Sequence, residues 1–378
     1  MTDHSRLVED FAAGRKPALA RAVSIVENHR DGFDALLARW HERIGRGRRI
    51  GITGPPGAGK STLTAALVAA YRTEGLSVGV IAVDPTSPFT GGALLGDRIR
   101  MESVALDPGV FIRSMATRGS LGGLAEATGE VADVLDAFGT DRIIIETVGV
   151  GQSELDVSRH ADSTVVVLVP ESGDSIQTLK AGLMEIADTF VVNKADRPGA
   201  DRLRHELELM LGLRSGEVLK NVPAHHGVQL GRAMTKAERM AMNPARAARE
   251  AAGMSGPGAP GTTPHDAPGS THLEWTPPVL PTVAVKGEGI DAVASAVDRH
   301  FHYLAESGRL HVRRRARLRR RVVEVVESRV RRRLWTDATV RAWLDEQLPA
   351  LEAGSRNPFD VADELLTRSG DLIRRTPT

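Results

Sequence analysis

The sequence predicts an α/β fold: a doubly wound, mostly parallel sheet with a helical extension at each end. Three observations carry it. From Arg49 onward, short runs rich in Val and Ile alternate with amphipathic helical patterns. Those runs lack polar alternation, as strands covered on both faces do. The first of them passes into a helix through Gly54-Pro55-Pro56-Gly57-Ala58-Gly59-Lys60-Ser61, a glycine-rich turn of the form that joins strand to helix in P-loop folds.

Residues 1–47 read as a helical extension. Leu7, Phe11, Leu19, Val23 and Val26, then Leu36, Leu37, Trp40 and Ile44, recur at near-helical spacing, which predicts packing on the core. The strands are expected at Ile50–Thr53, Val78–Val83, Val110–Arg113, Arg142–Glu146, Thr164–Val169, Phe190–Asn193 and Val279–Ala284, with a helix over Thr62–Arg72 after the first. They assign residues 48–234 and 273–307 to one domain. Between these parts, Ala252–Ser270 holds four Pro and five Gly with no Lys or Arg, which predicts a flexible, solvated insertion over 235–272. From 308 to 378 the chain is expected to be a helical dimerisation region. Eleven arginines lie between Arg313 and Arg333, while Leu318, Val322, Val325, Val326, Val330 and Leu334 keep helical spacing. The expectation is a solvated arginine face whose apolar stripe packs on another subunit, in preference to nucleic acid or the phosphates of a coenzyme. Phe359, Val361, Ala362 and Leu365 predict a last short helix.

Composition narrows the classes. A length of 378 residues allows two or three domains. A net charge of +1 offers no global attraction to nucleic acid or membrane. The absence of cysteine removes disulfides, thiolate metal sites and Cys nucleophiles, and fits a cytoplasmic protein. The mixed charges from Asp3 to Lys16 do not form a signal peptide, and the apolar run Val165–Val169 is far too short to span a bilayer.

The glycine-rich turn carries the chemistry. Backbone N–H groups from Gly54 to Thr62 can converge on a phosphate at the positive end of a helix. Lys60 would reach the β- and γ-phosphates, and the Ser61 hydroxyl would ligate Mg²⁺. Asn193-Lys194-Ala195-Asp196 follows a later strand; in P-loop GTPases that pattern reads guanine, through the Asp carboxylate and the Lys stem, so GTP is expected over ATP. Ala284 and Val285 stand where such proteins offer a backbone N–H to the guanine oxygen. Asp84, Asp97 and Glu146, at strand ends or in a loop, supply the hard oxygens Mg²⁺ prefers; the alternative for each is a helix cap or a loop carboxylate. Gly149, in the stretch Glu146–Gln152, can bring its N–H to the γ-phosphate and release on hydrolysis. Gln152 does not directly follow Gly149, so no residue is assigned to orienting the water, and unassisted hydrolysis should be slow.

In this order the motifs resemble the methylmalonyl-CoA-mutase-associated GTPases (MeaB/ArgK type, with the human counterpart MMAA) of the SIMIBI class of P-loop proteins. The matching stretches are Gly54–Ser61, Asp84–Ser87, Gly96–Met101, Phe111–Gly123, Glu146–Glu154, Gly173-Asp174 with Gln177 and Lys180, and Glu185–Asp196, with looser likeness from Trp275 to His300. The resemblance implies a GTPase chaperone that couples GTP/GDP exchange and hydrolysis to cobalamin loading and protection of an adenosylcobalamin-dependent acyl-CoA mutase. It implies that Lys60, Ser61, Asp84, Asp97 and Glu146 form the phosphate and Mg²⁺ site. It implies further that Asp174, Gln177 and Lys180 answer the mutase, with Lys180 brought to the phosphates when that partner binds, and that the protein is a homodimer. Two departures concern the partner side: Pro170-Glu171-Ser172-Gly173 is less Gly-rich than in many relatives, and the insertion before Trp275 is longer. Three other readings stand beside this one. A nickel-insertion GTPase would need Cys/His ligands, for which His225-His226 is too small a cluster. A transport-linked ATPase conflicts with Asn193–Asp196. A nucleotide-binding scaffold would lack turnover.

Overall fold

The computed structural model describes residues 4–84, 101–116, 127–147, 153–170, 182–215 and 275–370. The expected insertion over 235–272 lies outside them. Seven strands, β1 Arg48–Thr53, β2 Val78–Asp84, β3 Val110–Ala116, β4 Arg142–Thr147, β5 Ser163–Leu168, β6 Thr189–Asn193 and β7 Val279–Thr282, form one sheet of order β3-β2-β4-β1-β5-β6-β7. Every neighbouring pair is parallel. The strand order reverses at β1, between β4 and β5, and in open α/β sheets that crevice at the carboxyl ends takes the ligand.

Burial on both faces explains the unbroken apolar runs. Along β4, Ile143 and Ile145 pack toward one layer and Ile144 toward the other, and all three are fully buried. The first layer joins α1 Ser5–Ala12, α2 Lys16–Glu27, α3 Phe33–Trp40, α5 Thr128–Phe138 and α6 Ser153–His160 in one core. The N-terminal helices thus pack on the sheet as their periodicity requires; Phe11 stacks on Trp40 with ring centroids 4.0 Å apart. The opposite layer sets α4 Lys60–Thr73 and α8 Ile290–Glu306 against the other face, while α7 Ala200–Ser215 covers β5 and β6 on the same face as α6. One expected strand end moves. Val279–Ala284 stops at Thr282, because Ala284–Lys286 turns as a 3₁₀ helix closed by the left-handed Gly287.

The C-terminal part is α9 Arg309–Thr336, α10 Ala338–Glu352 and α11 Pro358–Arg368. Here the expectation of a solvated arginine face is corrected for four of the eleven arginines. Arg313 makes a bidentate contact with Asp188 at 2.9 Å, Arg314 and Arg317 reach Asp162 at 3.0 and 2.7 Å, and Arg321 binds Glu130. Asp162, Asp188 and Glu130 are all buried. Buried carboxylates must be paired or neutralised, so these arginines face the sheet domain. Val312, Leu318, Val322 and Val326 face solvent, alongside Arg315, Arg319 and Arg320. Burial opposes the charge on Asp162, but Arg317 and Arg314 outweigh it and hold the carboxyl at about 2.

Candidate functional site

At the carboxyl end of the central strand the chain leaves β1 at Thr53 and enters α4 at Lys60 through a turn that needs its glycines. Gly54 has φ +139°, and a Cβ there would lie 2.0 Å from the Val167 carbonyl oxygen. Gly59 has φ +83°, and a Cβ there would meet Asn193 Nδ2 at 2.4 Å. The first turn of α4 carries no side-chain cap, which leaves its N–H groups facing the loop, as an anion cradle requires.

Lys60 is buried and folds back over the turn, its Nζ donating to Gly54 O at 2.8 Å and Pro55 O at 3.0 Å. The next residue, Ser61, donates from Oγ to Glu146 Oε1 at 2.6 Å, and both residues are buried. The sheet makes this meeting possible: β4 runs beside β1 with Ile52 opposite Glu146, so the ends of the two strands coincide. One step on, the Thr147 and Thr53 hydroxyls lie 3.0 Å apart and tie the same ends together.

Asn193 closes the other side. Its Nδ2 donates to Ala58 O in the glycine-rich turn at 2.8 Å, while its Oδ1 accepts from the Thr282 hydroxyl and the Ala284 N–H, both at 3.1 Å. One buried amide therefore connects the turn after β1, the turn after β6 and the turn after β7. Lys194 adopts φ +56°, and Ala195 N donates to Thr282 O at 3.0 Å, which curls the segment around the end of β7. Asp196 lies half-exposed, 3.6 Å from Lys286 Nζ, and Val285 projects at the tip of its turn, 85% exposed. The Ala284 amide is engaged with Asn193, so it braces the site.

The structure thus gathers Gly54–Thr62, Glu146, Asn193, Lys194, Asp196, Ala284 and Val285 at one edge of the sheet. Asp84 ends β2 on that same edge, opposite Ala116 of β3. Asp97, Gly149, Gln152, Asp174, Gln177 and Lys180 lie outside the described residues. Sequence reasoning missed Thr53, Thr147 and Thr282, whose hydroxyls act only across strands far apart in the chain. It also gave Asn193 no bracing role, although Asn193 and Ala58 are 135 positions apart and in contact. No local pattern signals such pairs.

Comparison with known proteins agrees with this geometry. A family model described as methylmalonyl Co-A mutase-associated GTPase MeaB matches residues 19–339. A protein of Pyrococcus abyssi named as a GTPase is 42% identical over 361 residues, 95% of each chain. The mouse mitochondrial protein named methylmalonic aciduria type A homolog is 30% identical over 380 residues, 96% of this chain and 78% of that one. The crystal structure of an LAO/AO transport system kinase superposes with a TM-score of 0.57 at 25% identity, covering 98% of this chain and 99% of the other. With the glycine-rich turn and the Asn193–Asp196 segment on one edge of an all-parallel sheet, the chain belongs to the MeaB family of P-loop GTPases: it binds guanine nucleotide and hydrolyses GTP.

Proposed function

We propose that this GTPase is a chaperone for an adenosylcobalamin-dependent acyl-CoA mutase, gating cofactor loading and protecting the loaded enzyme. The observation that carries the reading is the family match over residues 19–339. The mouse relative, named for methylmalonic aciduria, supports the same side. A cytoplasmic setting goes with this reading.

In the hydrolytic cycle, Lys60 exchanges the Gly54 and Pro55 carbonyls for triphosphate oxygens, so its charge is held in place before the ligand arrives. Ser61 and Glu146 present hard oxygens from a buried position at the mouth of the turn, which suits Mg²⁺, with Asp84 and Asp97 completing the donor set. When bound, that ion supplies charge neutralisation to the phosphates. Asn193 keeps the turn in place while Lys194 and Asp196 select guanine, with Val285 as the outward backbone of the base loop. Gly149 senses the γ-phosphate, and Asp174, Gln177 and Lys180 respond to the mutase, so turnover is slow alone and rises on contact. The exposed Leu318, Val322 and Val326 of α9 support a homodimer joined through the 308–378 region.

The test is GTP turnover of the wild type and of Lys60→Ala, each with and without methylmalonyl-CoA mutase, beside GTP-dependent delivery of adenosylcobalamin to that mutase. The expected result is a mutase-stimulated rate and delivery that both disappear in the variant. Wild-type turnover and delivery indifferent to the mutase and to related acyl-CoA mutases would overturn the chaperone reading and leave the GTPase intact.

A further inference from the structure

At the amino ends of the strands, away from the nucleotide turn, an open cavity of about 270 Å³ lies between α6, the start of β5, the turn at Met184–Ile186 and α9. Four guanidinium groups line it, Arg159 from α6 and Arg313, Arg317 and Arg320 from α9, with Thr164 adding a hydroxyl. Glu185 is the one carboxylate in its lining among the described residues. Arg313 and Arg317 are oriented by Asp188 and Asp162 from beneath, so their planes are fixed before any ligand arrives. Arg317 keeps its Nε buried without a hydrogen-bond partner. Arg159 pairs with Asp156 at 2.8 Å, and Arg320 has no ion pair among the described residues, only a longer-range attraction to that same Asp156. His160, at the end of α6, is held at about 3, by burial first and then by Arg317, Arg49 and Arg320.

We propose that this cavity is a second anion site, which takes the phosphate or pyrophosphate end of a small phosphorylated molecule. Its donors are guanidinium groups, whose planar forks match phosphate oxygens in pairs. Fixed carboxylates already occupy the inner edges of Arg313 and Arg317, which leaves the outward donors of the cluster, foremost the Arg320 head, for a ligand. Its size admits a phosphate-bearing head group rather than a duplex or a helix. The walls also have a position in the nucleotide cycle: α6 begins at Ser153, directly after the Glu146–Gln152 stretch, and Glu185 follows the Asp174–Lys180 stretch.

The full chain saturated with GDP, so that the nucleotide turn is filled, is titrated calorimetrically with inorganic pyrophosphate, inorganic phosphate and succinate. Saturable pyrophosphate binding is expected, weakened about tenfold or more in the Arg159→Ala/Arg320→Ala pair and partly restored by Arg320→Lys. Both positions are exposed, and Arg320→Glu gives an independent reading if the double variant folds poorly. Absence of saturable binding to the GDP-loaded wild type would overturn the proposal. So would pyrophosphate affinity unchanged in the double variant and in Arg320→Glu. Succinate binding as tightly as pyrophosphate would overturn the phosphate assignment.

Discussion

Replacing Asn193 by Asp changes one atom and tests whether the buried amide holds the nucleotide turn in place. Oδ1 keeps its two acceptor contacts, with the Thr282 hydroxyl and the Ala284 N–H. Nδ2 becomes an oxygen facing the Ala58 carbonyl oxygen across 2.8 Å, so a donor is replaced by a repulsion. Loss of the hydrogen bond costs about 1 kcal/mol, and an uncompensated buried charge adds about 3 more, so a total of about 4 kcal/mol is expected. The cost falls on the turn that binds phosphate, so GDP affinity should drop by about tenfold or more. Urea unfolding of the nucleotide-free protein reads the first quantity and fluorescent GDP titration the second. Asn193→Ala is the companion variant: it loses all three contacts but buries no charge, and should cost less than the Asp variant. Stability within about 0.5 kcal/mol of wild type, with unchanged GDP affinity, would refute the bracing role.

Four further outcomes are expected. Gly54→Ala should abolish GDP binding or folding, since its Cβ would sit 2.0 Å from the backbone oxygen of Val167 at a φ of +139°; wild-type thermal unfolding and affinity would contradict this. Asp162→Asn should destabilise the protein by about 3 kcal/mol and expose α9 to limited proteolysis, because Arg314 and Arg317 lose their buried partner; an unchanged digestion pattern would count against it. Acid should weaken the fold well above the carboxylate range. Burial lowers His300 from 6.5 to about 4 and, aided by nearby arginines, His160 to about 3. Their neutral forms are favoured in the fold, so this stability is complete above 6.5 and is lost as pH falls toward those values, at roughly 1 kcal/mol per pH unit for each. Asp162, lowered from 3.8 to about 2, adds a second loss below 3.8; urea midpoints that stay level from pH 7 to 5 would dispose of the histidine effect. Finally, Val322→Asp with Val326→Asp should convert a dimer to a monomer in analytical ultracentrifugation, and an unchanged sedimentation coefficient would rule out that face as the interface.

Much of this protein was legible without coordinates. All seven strands were expected within a few residues of where they lie, because strands buried on both faces write continuous apolar runs such as Ile143–Ile145. The glycine-rich turn and the Asn193–Asp196 turn were legible as local structure because each is a contiguous stretch of chain with its own backbone demands, such as the positive φ of Gly54, Gly57 and Gly59. The N-terminal helices announced their buried side by the spacing of Leu7, Phe11, Leu19 and Val23.

What the tertiary structure alone decided concerns pairs of residues distant in the chain. Helical spacing in α9 shows an apolar stripe and a basic one with equal clarity, and the apolar stripe is the usual candidate for burial. Here four arginines of the basic stripe turn inward, because the surface beneath α9 presents Asp162, Asp188 and Glu130, each of which needs a cation to remain charged out of water. Periodicity along one helix carries no record of the charges on the surface it meets. The contact between Asn193 and Ala58 is of the same kind: sequence supplies both residues, and only the parallel register of β1, β5 and β6 brings the amide to the carbonyl it holds.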